Sequence, residues 1–153
     1  MQYSSASATA LLAGNRASIP GAASHIRTPY VLIVDDDRFI VDVIQSLLEI
    51  EGYNGVGMSD SLKVPAFLDA LHDHVLPSVI LLDLMMPGLS GYEIATLLSQ
   101  IERYRCIPII VMTADGRVQG CSGIQGAVDF VTKPFRLDPL LAKLKVYLDP
   151  LAP

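Results

Sequence analysis

The chain has 153 residues, enough for one domain with or without a tail and for a sizeable core. Hydrophobic residues make up 51% of it and the mean hydropathy is positive, which excludes a wholly disordered polar chain. The net charge of −5 comes with no basic cluster, and no apolar run reaches the ~18 residues of a membrane span, so direct nucleic-acid contact and membrane insertion are disfavoured.

Residues 1–28 are rich in Ser and Ala, carry no acid, and have Arg16 and Arg27 as their only strong cations. Such a composition is shared loosely with organellar transit peptides. It lacks the basic start of a secretory signal, and we read it as a flexible tail. Tyr30–Asp35 is an apolar, β-branched run of the kind found in buried strands. Arg38–Glu51 places Ile40, Val43, Ile44, Leu47 and Leu48 at helical spacing, with Asp36 or Asp37 as cap and Gly52 as stop.

Gly55–Ser59 is a weak second strand. Leu62–Asp73 reads as a helix with Pro65 in its first turn. Ser78–Leu84 is a third strand, and Ser90-Gly91-Tyr92-Glu93 is a capping box opening a helix with Ile94, Leu97, Leu98 and Ile101. Ile107–Thr113 is a fourth strand and Asp129–Thr132 a short fifth. Asp138-Pro139 reads as a cap and first helical residue for a last helix carrying Leu140, Leu141, Leu144 and Leu148, which Pro150 ends. Between the last two strands, Gly116, Gly120, Gly123 and Gly126 leave any helix short or frayed, since each interior glycine costs roughly 1 kcal/mol against alanine. The predicted organisation is a tail over 1–28, a domain over 29–149 and a short tail over 150–153.

Strands alternating with helices imply a doubly wound, five-stranded parallel sheet covered on both faces. Ligands of such sheets bind beyond the carboxyl ends of the strands. Asp35, Asp36, Asp83, Thr113 and Lys133 all fall at or just past those ends. The run SVILLDLMMPGLSG leaves Asp83 at the end of an apolar strand, where a carboxylate is costly to bury without a partner. Asp35, Asp36 and Asp83 are hard oxygen ligands suited to Mg2+. With Lys133 as a cation and Thr113 as a hydroxyl donor, the set suits phosphoryl transfer to Asp83 as an acyl phosphate.

Taken singly, Asp35–Asp37 read as a helix cap, Asp83 as a turn residue and Lys133-Pro134 as a strand-end turn; their joint spacing carries the functional reading. His72 and His74, two apart, point to different sides of a helix and read as a solvated helix end. Met85-Met86 reads as packing and turn. Cys106 and Cys121 show no CxxC spacing and read as reduced thiols of a cytoplasmic protein.

VLIVDDD, LLDLMMPGLSG, IIVMTA and DFVTKPF, in that order, resemble the receiver domain of bacterial two-component response regulators from about Tyr30 to Leu148. The resemblance implies the flavodoxin-like (βα)5 fold, here with a degenerate fourth helix. It implies Asp83 as phosphorylation site, Asp35, Asp36 and Asp83 with the Met85 carbonyl as Mg2+ ligands, and Thr113 and Lys133 as contacts to the phosphoryl oxygens. Thr113 and Phe130 would form the switch, Phe130 by packing alone because it lacks a tyrosine hydroxyl. A cis bond is expected before Pro134. Met85 and Asp115 occupy positions that tune phosphoryl lifetime in the family. The implied partners are a sensor histidine kinase or histidine phosphotransfer protein upstream and a target protein downstream.

After Lys133 only residues 134–153 remain, so a stand-alone receiver is expected. It would be a signalling protein, with self-catalysed phosphoryl acceptance and autodephosphorylation, rather than an enzyme. Two alternatives stay open: a phosphoryl shuttle to a histidine phosphotransfer protein, and a pseudo-receiver that binds without phosphorylation.

Overall fold

A computed structural model describes residues 28–118 and 120–149. Apart from Thr28, the two expected tails lie outside the described residues. Strands β1 (Tyr30–Val34), β2 (Asn54–Met58), β3 (Val79–Asp83), β4 (Ile109–Thr113) and β5 (Ala127–Thr132) form one parallel sheet in the order β2-β1-β3-β4-β5. Its helices are α1 (Arg38–Ile50), α2 (Val64–Asp69), α3 (Gly91–Gln100) and α4 (Leu137–Leu148).

Every residue of β1, β3 and β4 is buried, which is why these strands read as continuous apolar runs. Successive side chains alternate between the two faces. Val31, Ile33, Leu81, Ile110 and Met112 meet Val41, Ile44 and Leu48 of α1 and Leu140, Leu144 and Leu148 of α4. Leu32, Val34, Ile80, Leu82 and Val111 meet Val64 and Leu68 of α2 and Ile94, Ala95 and Leu98 of α3. The sheet is thus covered on both faces, as the alternation of elements predicted.

The edge strand β2 is weak in sequence because the helix above it is close. A Cβ on Gly55 would stand 2.8 Å from Leu48 Cδ1, and one on Gly57 would meet Val41 and Gln45. The Gln45 side-chain amide, in turn, donates to the Gly55 carbonyl at 3.1 Å. Helix α1 is capped by Asp37, whose carboxylate accepts from the Phe39 amide at 2.9 Å. It stops at Gly52, with the Gly52 amide on the Glu49 carbonyl and the Tyr53 amide on the Leu48 carbonyl.

Two expected helices differ. The helix expected over 62–73 is only α2, preceded by a 3-10 turn at Ser61–Lys63 and followed by another at Asp73–Val75. Arg103 reaches in to donate to the Leu71 carbonyl and the Asp73 carboxylate, so the carbonyl that a longer helix would use is already satisfied. His72 therefore sits in extended backbone before a turn, not on a helix end.

Helix α4 starts earlier than the Asp138 cap predicted. Arg136 is its N-cap, without a side-chain cap bond, and Asp138 lies in the first turn beside the positive end of the helix dipole. Pro139 is accommodated there because first-turn amides have no partner within the helix.

The glycine-rich connection holds no helix among its described residues. Gly120, Gly123 and Gly126 take φ of +90°, +84° and +77°, a region incompatible with a right-handed helix. Buried Ile124 and half-buried Val118 attach the connection to the core, and Gln125 is bonded to Ser99 on α3. No helix among the described residues is long and apolar enough to cross a membrane.

Candidate functional site

The carboxyl ends of β1, β3, β4 and β5 bring the expected residues to one edge of the sheet. Pairing in register sets Val34 beside Leu82, Asp83 beside Met112 and Thr113 beside Thr132, so Asp35, Asp83, Thr113 and Lys133 emerge at nearly one level. One carboxylate oxygen from each of Asp35, Asp36 and Asp83 lies within 4.8 Å of the others. Asp35 and Asp83 are buried and Asp36 is exposed, which leaves the cluster open on one side.

The two buried acids are oriented by backbone. Asp35 accepts from the Asp37 amide at 2.9 Å, while its own amide donates to the Met58 carbonyl at the end of β2. Asp83 accepts from the Met85 amide at 3.3 Å. Behind Asp83, the start of α3 passes so close that a Cβ on Gly91 would strike the Asp83 carbonyl and stand 2.8 Å from Leu84 Cα. Only glycine admits this approach, and it puts the α3 N-terminus directly behind the acid. The capping box expected at Ser90 and Glu93 is formed there: Ser90 Oγ accepts from the Glu93 amide, and the Glu93 carboxylate accepts from the Ser90 amide.

Lys133 Nζ donates to Asp35 Oδ2 at 2.6 Å and stands 3.5 Å from Asp83 Oδ2. Its peptide bond to Pro134 is cis, as expected. Burial and then the Asp35 charge push the Asp83 carboxyl above its ordinary range, only partly offset by Lys133 and the Met85 amide. Burial also opposes the charge on Lys133, but its bond to Asp35 and the two nearby carboxylates outweigh this and hold its pKa above the usual value. Three carboxylates thus face one ammonium, and a hard divalent cation fits the donor set.

Thr113 is fully buried at the end of β4; its hydroxyl accepts from the Asp115 amide at 3.0 Å. Phe130 lies on β5 opposite Val111, half-buried against the core on the α2–α3 side. The Met85 side chain is exposed just beyond β3. Cys106 is exposed and Cys121 half-buried. Sequence reading did not single out Ser61, a buried side chain touching the loop after Asp83. A serine after Asp60 looks like part of a helix cap, and its partners lie 26 and 28 residues away.

The family model described as "Response regulator receiver domain" matches residues 31–145. The chain is 36% identical over 122 residues to RpaA of Synechocystis, described as a DNA-binding dual master transcriptional regulator, covering 78% of this chain and 49% of that protein. It therefore spans about half the length of that relative, and the expectation of no nucleic-acid partner stands on this chain's charge alone. Among solved structures, the receiver domain of the Francisella response regulator 1452 aligns with TM-score 0.69 and 26% identity over 81% of this chain and 99% of that one. The response regulator TrrA of Thermotoga maritima, in complex with Mg(2+)-BeF, aligns with TM-score 0.67 and 26% identity over 78% of this chain and 99% of that one. Mg2+ binding is thus a trait of the family.

Proposed function

The chain belongs to the response regulator receiver domain family of two-component signalling, and we propose that it is a phosphoacceptor switch working through Asp83. A carboxylate oxygen of Asp83 attacks the phosphorus of a phosphohistidine on a sensor histidine kinase or histidine phosphotransfer protein. The P–O bond forms as the P–N bond breaks, and the imidazole leaves and takes up a proton. One observation carries this reading: Lys133 reaches both Asp35 and Asp83 within an otherwise acidic, largely buried cluster.

Asp35, Asp36, Asp83 and the Met85 carbonyl would hold Mg2+. When bound, Mg2+ supplies positive charge against the carboxylates and the phosphoryl oxygens. Lys133 pairs with a phosphoryl oxygen. The Thr113 hydroxyl, which accepts from the Asp115 amide, keeps its own proton to donate to another. Movement of Thr113 toward the phosphoryl group lets the half-buried Phe130 ring repack, and the altered surface changes a contact with a downstream protein. The chain catalyses only its own phosphorylation and dephosphorylation, and the cytoplasm, where phosphohistidine donors meet reduced thiols, is its proposed location.

The test is transfer from a phosphohistidine-bearing domain carrying a labelled phosphoryl group. Label should move to this chain and not to the Asp83→Asn variant. Label that also returns to a histidine domain on mixing would mark a shuttle, and a chain that never accepts label would be a binding module.

A further inference from the structure

We propose that Ser61 is a positioning residue for the cation site, holding the loop that follows Asp83 in the shape from which the Met85 carbonyl reaches the metal. The inference rests on the reading of Asp35, Asp36, Asp83 and Met85 given above.

Ser61 lies on the connection between β2 and α2, far in sequence from the acids, yet only 3% of it is exposed. Its hydroxyl donates to the Pro87 carbonyl at 2.9 Å and accepts from the Leu89 amide at 3.0 Å. One hydroxyl thus clasps both limbs of the turn between Asp83 and α3, using its donor and an acceptor lone pair together. The clasped residues lie two and four positions beyond Met85. The other side of that turn is fixed by the Gly91 amide on the Leu84 carbonyl at 3.0 Å.

Ser61 is itself held in place. Asp60 caps the 3-10 turn by accepting from the Leu62 amide at 3.1 Å, and the Lys63 amide donates to the Asp60 carbonyl. Two residues before Asp60, the Met58 carbonyl accepts from the Asp35 amide. A single short connection therefore touches both halves of the acidic cluster: Asp35 through Met58, and the loop after Asp83 through Ser61. Metal binding of this kind depends on small displacements of a carbonyl, because Mg2+ demands near-ideal octahedral geometry.

The experiment is a Mg2+ titration of the full chain by amide NMR, on wild type, Ser61→Ala and Tyr30→Phe, with thermal melts of all three. Tyr30→Phe is the matched control. It removes another buried hydroxyl's bond, from Tyr30 to the Val75 carbonyl at 2.9 Å, at the start of β1 and away from the carboxyl ends of the strands. Ser61→Ala should weaken Mg2+ binding roughly five- to ten-fold, the scale of one lost hydrogen-bond pair, and speed exchange of the Leu89 amide. Tyr30→Phe should lower the melting temperature while leaving Mg2+ affinity unchanged. Wild-type affinity in Ser61→Ala, or an equal loss in Tyr30→Phe, would overturn the inference. A wild-type chain that binds no Mg2+ would instead overturn the reading of the site itself, and the inference with it.

Discussion

Lys133 is bound more closely to Asp35 than to Asp83, at 2.6 Å against 3.5 Å. The lysine is thus anchored by one acid and leans toward the other, which leaves Asp83 the less neutralised carboxylate of the buried pair. Removing this ammonium has two opposite consequences. Lys133→Met should tighten Mg2+ at least severalfold, since a like charge ~4 Å from the cation costs about 1 kcal/mol per unit charge even at the dielectric constant of bulk water. The same variant should lose phosphoryl acceptance by at least about ten-fold, because no ammonium faces the transferred group. Mg2+ titration and labelling rate on one preparation check both directions.

Asp83 destabilises the fold when no cation is supplied. Its carboxyl is pushed up by burial and by Asp35, so its ionised form destabilises the fold at neutral pH. Asp83→Asn should therefore raise the melting temperature by about 2–5 °C in the presence of chelator. The gain should shrink when Mg2+ is added, because only the wild type then recovers favourable charge pairing. Melts with and without Mg2+ decide this.

A second acid gives the pH dependence. Burial alone would raise the Asp129 carboxyl, but the Lys143 ammonium at 2.5 Å and the Phe130 amide at 2.8 Å outweigh it and hold it below the usual range. A depressed carboxyl stabilises the fold above its unfolded-state pKa and loses that contribution as pH falls through the folded value. With both side chains 33% exposed, solvent screening limits the pair to about 0.5–1 kcal/mol. Lys143→Met should lose that amount at pH 7 and nothing once Asp129 is protonated, read by urea denaturation at the two pH values.

Two glycines should answer oppositely to the same change. Gly91→Ala forces a methyl against the Asp83 carbonyl and should cost about 2–4 kcal/mol, weakening metal binding as well. Gly116→Ala meets nothing within 4 Å and has no positive φ, so it should stay within about 0.5 kcal/mol of wild type. Denaturant melts of the pair measure both.

The connection from Ala114 to Gly126 should exchange its amides faster than β4 and β5 on either side. Among its described residues the backbone bonds are isolated turns, such as the Val118 amide on the Asp115 carbonyl and the Ile124 amide on the Cys121 carbonyl. Ile124, buried at 6% exposure, attaches it to the core together with half-buried Val118, and Ile124→Ala should cost about 2–4 kcal/mol. Strong protection across Val118–Gln125 would contradict this description.

What was legible in the sequence followed from burial and strand direction. β1, β3 and β4 are buried on both faces, so their apolar runs announced themselves, and the acids and threonine at their ends, with the lysine just past β5, were placed by chain direction. β2 was faint because Gly55 and Gly57 give way to α1, a reason visible only once the helix lies above them. The early end of α2 was hidden because its cause, Arg103, lies 32 residues from the Leu71 carbonyl it satisfies. Ser61 was invisible for the same reason. The glycines of the last connection spoke locally: positive φ is a property of single residues, and a degraded helix could be read from them, where the described residues hold none.

The most direct measurement is the intact mass of the chain after incubation with a small-molecule phosphoryl donor and Mg2+, beside Asp83→Asn. The account predicts one added phosphoryl group, absent without Mg2+ and absent in the variant. An unchanged mass in the folded wild type at every time from seconds onward, or an adduct of equal yield in Asp83→Asn, would contradict it.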